Sequence, residues 1–316
     1  MRVRDVFTPG SFPTVTFVNE HLKDKEQILK DALDVGSTII SLSGPSKSGK
    51  TVFVENVVGR ESLIHVTGAG VDTPKKLWER VFDFIGTPLD VKRMNEKSFQ
   101  GTVSGKIGGD AGIFVRGKGE VGSSGTWASK NSDIESYSCD YLQLLIRELR
   151  DTDFTLFIDD FHYIAKDAKV EISQQIKEAI RNNVRIICAS VPYHSDDAIR
   201  ANSDLRGRVT GLDFDYWKPE VLAHIARKGF AELNVKYENV FIDKIIHEAA
   251  GSPQLMQSIC LNTCFEANIR EKGSGLTELP IKPKFLPRVC NRTAMSADYS
   301  SIVEKMKEGP KTRGTI

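Results

Sequence analysis

Excess charge of one sign, paired cysteines and long apolar runs are all missing from this 316-residue chain. Its 43 Lys and Arg balance 42 Asp and Glu at a net charge of +1, so no global field draws the molecule onto nucleic acid or an acidic membrane. Any such contact has to be local, and net charge gives a nucleic-acid partner no support. The five cysteines, at 139, 188, 260, 264 and 290, are odd in number and form no CxxC pair. That argues against a disulfide framework and a zinc ribbon, and for a reducing, cytoplasmic setting. The six histidines show no metal-ligand spacing and read as structural or surface groups. No stretch approaches 18 apolar residues, and MRVRDVFTPGSFP has no apolar run behind its basic residues, so neither membrane spanning nor secretion is expected. What remains, 40% hydrophobic and 27% charged residues, is ordinary globular composition, enough for one large or two modest domains.

Apolar residues between Leu22 and Leu33 fall at helical spacing, and the β-branched run STIISLSG (37–44) follows as a buried strand. SLIHVTG (62–68), TLFIDD (155–160), VRIICAS (184–190) and VTGLDF (209–214) read as further strands. Between them TPKKLWERVFDFIG (73–86) predicts a helix capped by Thr73 and stopped by Gly86, and residues 170–182 predict another. Strands alternating with helices argue for an α/β fold with a mostly parallel sheet covered on both faces. Beyond Trp217 the spacing is helical throughout, through Val221, Leu222 and Ile225 to Met256 and Ile259, which predicts a small all-α domain. Residues 101–125 hold nine of the 25 glycines and predict a hairpin or flexible insert. The prolines of LPIKPKFLPR predict an extended tail, whose Lys282, Lys284, Arg288 and Arg292 read as a solvated face or as a contact for phosphate or an acidic partner. The expected organisation is an α/β domain over 1–215 with an insert at about 97–130, a helical lid over 216–272 and a tail over 273–316.

One motif carries chemistry strongly. Gly44-Pro45-Ser46-Lys47-Ser48-Gly49-Lys50-Thr51 fits GxxxxGK[ST] and stands between an apolar strand and the helical run that Val52 continues. Glycines at 44 and 49 let successive amides turn inward around a phosphate chain, and the following helix presents its positive end. Lys50 supplies a point charge to the outer phosphates, and the Thr51 hydroxyl one oxygen to Mg2+. The second half is FTLFIDD: a buried strand is a costly place to end on two acids unless they serve a cation. Asp159 is the expected Mg2+ partner and Asp160 the group that orients or deprotonates water. The competing reading is two acids capping a turn.

From about Pro13 to Ile269 the chain resembles P-loop ATPases of the AAA+ and STAND type. PTVTFVNEHLKDKEQILKDAL looks like their adenine-side segment, GPSKSGKT their Walker A, LFIDD their Walker B and VRIICAS their sensor-1 strand. The resemblance implies a P-loop NTPase fold with a lid, Mg2+ and ATP as cofactors, and ATP hydrolysis. It implies a contact from Ser190 to the γ phosphate or the attacking water, with a plain strand-end hydroxyl as the competing view, and an arginine reaching a neighbour's site at Arg208, with Arg206 as second choice and a surface ion pair as the competing view. It implies that Pro253, in Gly251-Ser252-Pro253, starts a lid helix that contacts the adenine or closes over the nucleotide, with helix-start geometry alone as the competing view. Two departures stand out: Asp160 replaces the more usual Glu, and Gln254 and Gln257 occupy the turn where related lids carry an arginine. The family likeness further implies assembly with itself or with a separate effector protein, in signalling or antiphage defence. A DNA-associated loader or transposition regulator is the alternative.

Overall fold

The computed structural model describes residues 1–87, 140–191, 207–280 and 282–296. The expected glycine-rich insert, Arg206 and the tail beyond 296 lie outside the described residues.

Ten helices are described: α1 (Val3–Val6), α2 (Lys23–Val35), α3 (Lys50–Val58), α4 (Pro74–Ile85), α5 (Tyr141–Leu149), α6 (Lys166–Arg181), α7 (Pro219–Glu232), α8 (Asn239–Ala249), α9 (Pro253–Glu266) and α10 (Phe285–Ser296). Five strands, β1 (Ile39–Ser43), β2 (Leu63–Thr67), β3 (Thr155–Asp159), β4 (Arg185–Ser190) and β5 (Val209–Asp213), form one sheet in the order β2-β3-β4-β1-β5. All four pairings are parallel, so every strand ends at the same edge. The runs are apolar because both faces are covered. Ile39, Ile64, Leu156 and Ile186 face α4, α5 and α6, whereas Ile40, Phe157, Ile187 and Leu212 face α2 and α3. The caps expected of α4 are present: Thr73 Oγ1 accepts from the Lys76 amide at 3.4 Å, and Gly86 ends the helix with φ +77°.

The helical unit has its own core, built from α7, α8, α9 and α10. Two expected boundaries change. Val3, Val6 and Phe7 are fully buried in that core, so the first residues pack with the helical unit and not with the sheet. Residues 285–296, expected within an extended tail, are helical, with Phe285 and Val289 buried beside α9. Pro287 is compatible with this because it stands in the first turn, where a missing N–H breaks no intrahelical bond. The short parallel pair β6 (Val235–Lys236) and β7 (Thr277–Glu278) ties the unit together. Cys260 and Cys264 are core residues of α9, and burial raises the Cys264 thiol to about 12. Among the described residues no helix is long and apolar enough to cross a membrane.

Candidate functional site

Because β3, β4 and β1 are neighbours, Asp159, Ser190 and Ser43 end side by side at one sheet edge. From Ser43 the chain must turn into α3 within six residues, 44–49. Gly44 is the only residue type that fits its place, since a Cβ there would stand 2.5 Å from Phe214 Cβ and 2.7 Å from the Phe214 carbonyl. Gly49 precedes α3 with φ +94°, a conformation that costs glycine little. The turn brings the first amides of α3, which have no intrahelical acceptor, to the loop's inner side.

Lys50, the first residue of α3, is only 8% exposed, and its Nζ donates to the carbonyls of Gly44 and Pro45, both at 2.8 Å. Burial pulls its pKa below the usual lysine range, while Asp159 and Asp160 work against that pull. Thr51 Oγ1 donates to Asp159 Oδ2 at 2.7 Å, and the Asp160 amide donates to Oδ1 at 2.8 Å. His65 Nε2, on β2, stands 3.6 Å from Oδ2. Burial by itself would raise the Asp159 pKa, but His65, Thr51 and the Asp160 amide outweigh it and hold the carboxyl below the ordinary range. Asp160 is pushed the other way by burial and by the charge of Asp159. The two acids therefore differ in kind: Asp159 is a fixed anion, and Asp160 is the one that takes a proton more readily.

The helical unit touches the same loop. Trp217 Nε1 donates to the Ser48 carbonyl at 3.0 Å, and Ser252 Oγ to the Lys47 carbonyl at 3.4 Å. The Trp217 amide donates to Gly251 at 2.8 Å, and Ser252 Oγ caps α9 by accepting from Leu255 N. A cavity of about 410 Å3 lies between these parts. Ser46, Lys47, Gly49, Lys50, Thr51, Val52, Asp159, Asp160, Ser190 and Pro253 all line it. Gly44, Pro45 and Ser48 shape the loop behind this wall, two of them through the Lys50 bonds and the third through Trp217. Ser190 is buried, and its carbonyl accepts from the Gly44 amide at 3.3 Å.

Arg208 stands apart. Its carbonyl accepts from Ile39 N at 2.8 Å and from Thr38 Oγ1 at 2.9 Å, which fixes it where β1 and β5 begin. The loop lies at the other end of β1, roughly 16 Å away at about 3.3 Å per residue. Sequence reasoning passed over His65 and Trp217 as site residues, and over Thr8, which also lines the cavity. The aromatic pair Tyr216-Trp217 inside DFDYWKPE was the available signal for Trp217. His65 gave none, because its approach to Asp159 depends on the register of β2 against β3.

No protein-family model matches this sequence, and no curated protein matches it. Among solved structures, the chain is similar to the ORC2 protein of Aeropyrum pernix in ADPNP–ADP complexes, with TM-score 0.58 and 13% identity over 95% of this chain and 74% of that one. It is also similar to a Walker-type ATPase of Pyrococcus abyssi, with TM-score 0.56 and 15% identity over 91% of this chain and 74% of the other. Cdc6p of Pyrobaculum aerophilum gives 0.53 and 15%, over 84% of this chain and 66% of that one. The fold is that of the AAA+ P-loop ATPases. The chain spans just under two thirds of the Cdc6p chain and about three quarters of the other two.

The oxygen donors present fit Mg2+. Thr51 Oγ1 and Asp159 Oδ2 are hard ligands held together at the loop. Among the described residues no group of three or more His, Cys, Asp and Glu could hold a metal ion.

Proposed function

We propose that the chain binds Mg–ATP at this site, hydrolyses it, and uses nucleotide state to control assembly with itself or with a separate effector protein. The observation that supports this best is the single cluster of Lys50, Thr51 and Asp159, with Trp217 and Ser252 of the helical unit bonded to the same loop. Lys50 exchanges its two carbonyl acceptors for oxygens of the outer phosphates, and the amides at the start of α3 hold the phosphate chain. Thr51 and Asp159 hold magnesium, which when bound neutralises charge on the phosphate oxygens. Asp160 orients and accepts a proton from the attacking water, and Ser190 contacts the terminal phosphate or that water. Pro253 starts the helix that moves with the nucleotide. The STAND-like features of the sequence favour a signalling or antiphage switch.

Assembly is the test of the switch. Mass photometry with ADP, ATP and a slowly hydrolysed analogue is expected to show larger species with ATP or the analogue, without duplex DNA. Assembly only when duplex DNA is present would replace the switch by the DNA-associated loader. The basic helix α10 lends that alternative limited support, because Arg288 pairs with Glu266 at 2.7 Å and Arg292 lies over the Phe265 ring. An unchanged mass in every nucleotide would remove the assembly step.

Arg208 is assigned to a neighbouring subunit's site, a role that its distance from its own loop requires if it acts at all. A guanidinium is planar, permanently charged and suited to phosphoryl oxygens. Mixing Arg208→Ala with Lys50→Ala protein, each inactive alone, should restore partial ATPase activity through interfaces that join an intact Lys50 to an intact Arg208. A mixture that stays inactive, beside a wild type whose rate per subunit ignores concentration, would make Arg208 structural.

A further inference from the structure

The cavity runs past the phosphate loop to a second wall made by the N-terminal segment and α9, and Gln257 stands in it. Its side chain is 5% exposed and joins both sides of that wall. Oε1 accepts from the Thr8 amide at 3.3 Å, and Nε2 donates to Thr16 Oγ1 at 2.7 Å. Thr16 Oγ1 in turn donates to the Val6 carbonyl at 3.1 Å. These partners settle which way round the carboxamide lies. A backbone N–H can only donate, so the atom facing Thr8 is the oxygen, and the nitrogen faces a hydroxyl whose own proton is already committed. Each amide atom makes one of the two bonds it can make, so one lone pair on Oε1 and one hydrogen on Nε2 are not used by these partners. Next to them Thr8 Oγ1 is shielded and has no hydrogen-bond partner, and Thr8 lines the same cavity. Phe12, Phe17, Val18 and Ile225 make the surrounding wall apolar, as the faces of a flat base require.

Resting on the nucleotide-site reading above, we propose that Gln257 selects the base, and that it selects adenine. A carboxamide with an adjacent free acceptor and donor pairs in two places with a group that offers an amino hydrogen beside a ring nitrogen. Adenine offers that pattern twice, through N6 with N7 and through N6 with N1. Guanine meets the same amide only on the edge that also carries N2, and the two free positions of one amide cannot satisfy that additional donor. The unsatisfied group costs the wrong base binding energy. The lid residue that replaces an arginine in the resemblance thus turns from the phosphates to the base.

The experiment is competitive binding to the full chain with ATP, GTP, N6,N6-dimethyl-ATP and inorganic tripolyphosphate. ATP is expected to bind on the order of 10- to 100-fold tighter than GTP or the dimethyl analogue. In Gln257→Leu the three nucleotides should fall to within about 3-fold of one another, while tripolyphosphate binds as in the wild type. The analogue comparison needs no variant, so it holds even if the leucine protein folds poorly. Wild-type protein that takes ATP and N6,N6-dimethyl-ATP equally, or a leucine variant that keeps full selectivity, overturns the base-reading role and leaves the phosphate site standing. Failure of wild-type protein to bind any nucleotide or tripolyphosphate overturns both.

Discussion

Lys50→Ala should weaken ATP binding by roughly 100-fold, the loss of about 3 kcal/mol expected when a charged donor to phosphate is removed. The fold should not suffer. Lys50 starts α3, where alanine is at least as good a helix former, and the side-chain bonds that are lost are the two to the carbonyls of Gly44 and Pro45. Burial also lowers the folded-state pKa of Lys50, so the charged ammonium is held at some cost throughout the neutral range, and its removal relieves that cost. The thermal midpoint of the nucleotide-free variant is therefore expected to match or exceed that of the wild type, while calorimetric titration shows the weakened binding. Equal ATP affinity in both proteins would move the phosphates out of this loop.

The phosphate loop and the sheet were legible because their signals are local. β1, β3 and β4 are short apolar runs that both sheet faces bury, and GPSKSGKT stands between β1 and α3 where strand end and helix start must meet. Contacts made across long sequence distances were not legible. Val3, Val6 and Phe7 are too few to show a helical period, yet with Val18 they close the core of a unit whose main helices begin at Pro219. Helix α10 was hidden by Pro283 before it and Pro287 within it, although Phe285 and Val289 already lie one turn apart. Helix α5 follows the glycine-rich stretch closely and its apolar face, Leu142, Leu145, Ile146 and Leu149, went unread. Gln257 was visible only as a departure from the resemblance. Its bonds to Thr8 and Thr16, some 240 residues away, are what give it meaning.

Asp160→Asn is expected to separate binding, hydrolysis and stability. Asn can occupy the left-handed conformation seen at Asp160, φ +53°, so the turn after β3 should persist. Binding should stay within a few-fold of wild type, because Lys50, Thr51 and Asp159 are untouched. Hydrolysis should slow by about 100- to 10,000-fold, the range for loss of a positioned base. Stability should move in the opposite direction. Burial and the neighbouring Asp159 raise the folded-state pKa of Asp160 above its unfolded value. Its ionised form therefore opposes folding at every pH above the folded pKa, and this penalty fades as pH falls and disappears below the unfolded carboxylate value. Asparagine carries no such charge, so the nucleotide-free variant should melt higher than wild type at pH 7, by an amount that shrinks in acid. Melting curves across pH beside single-turnover hydrolysis rates check both halves. Undiminished hydrolysis would move the base elsewhere, and a lower melting point at pH 7 would mean that the Asp160 carboxylate holds the turn together.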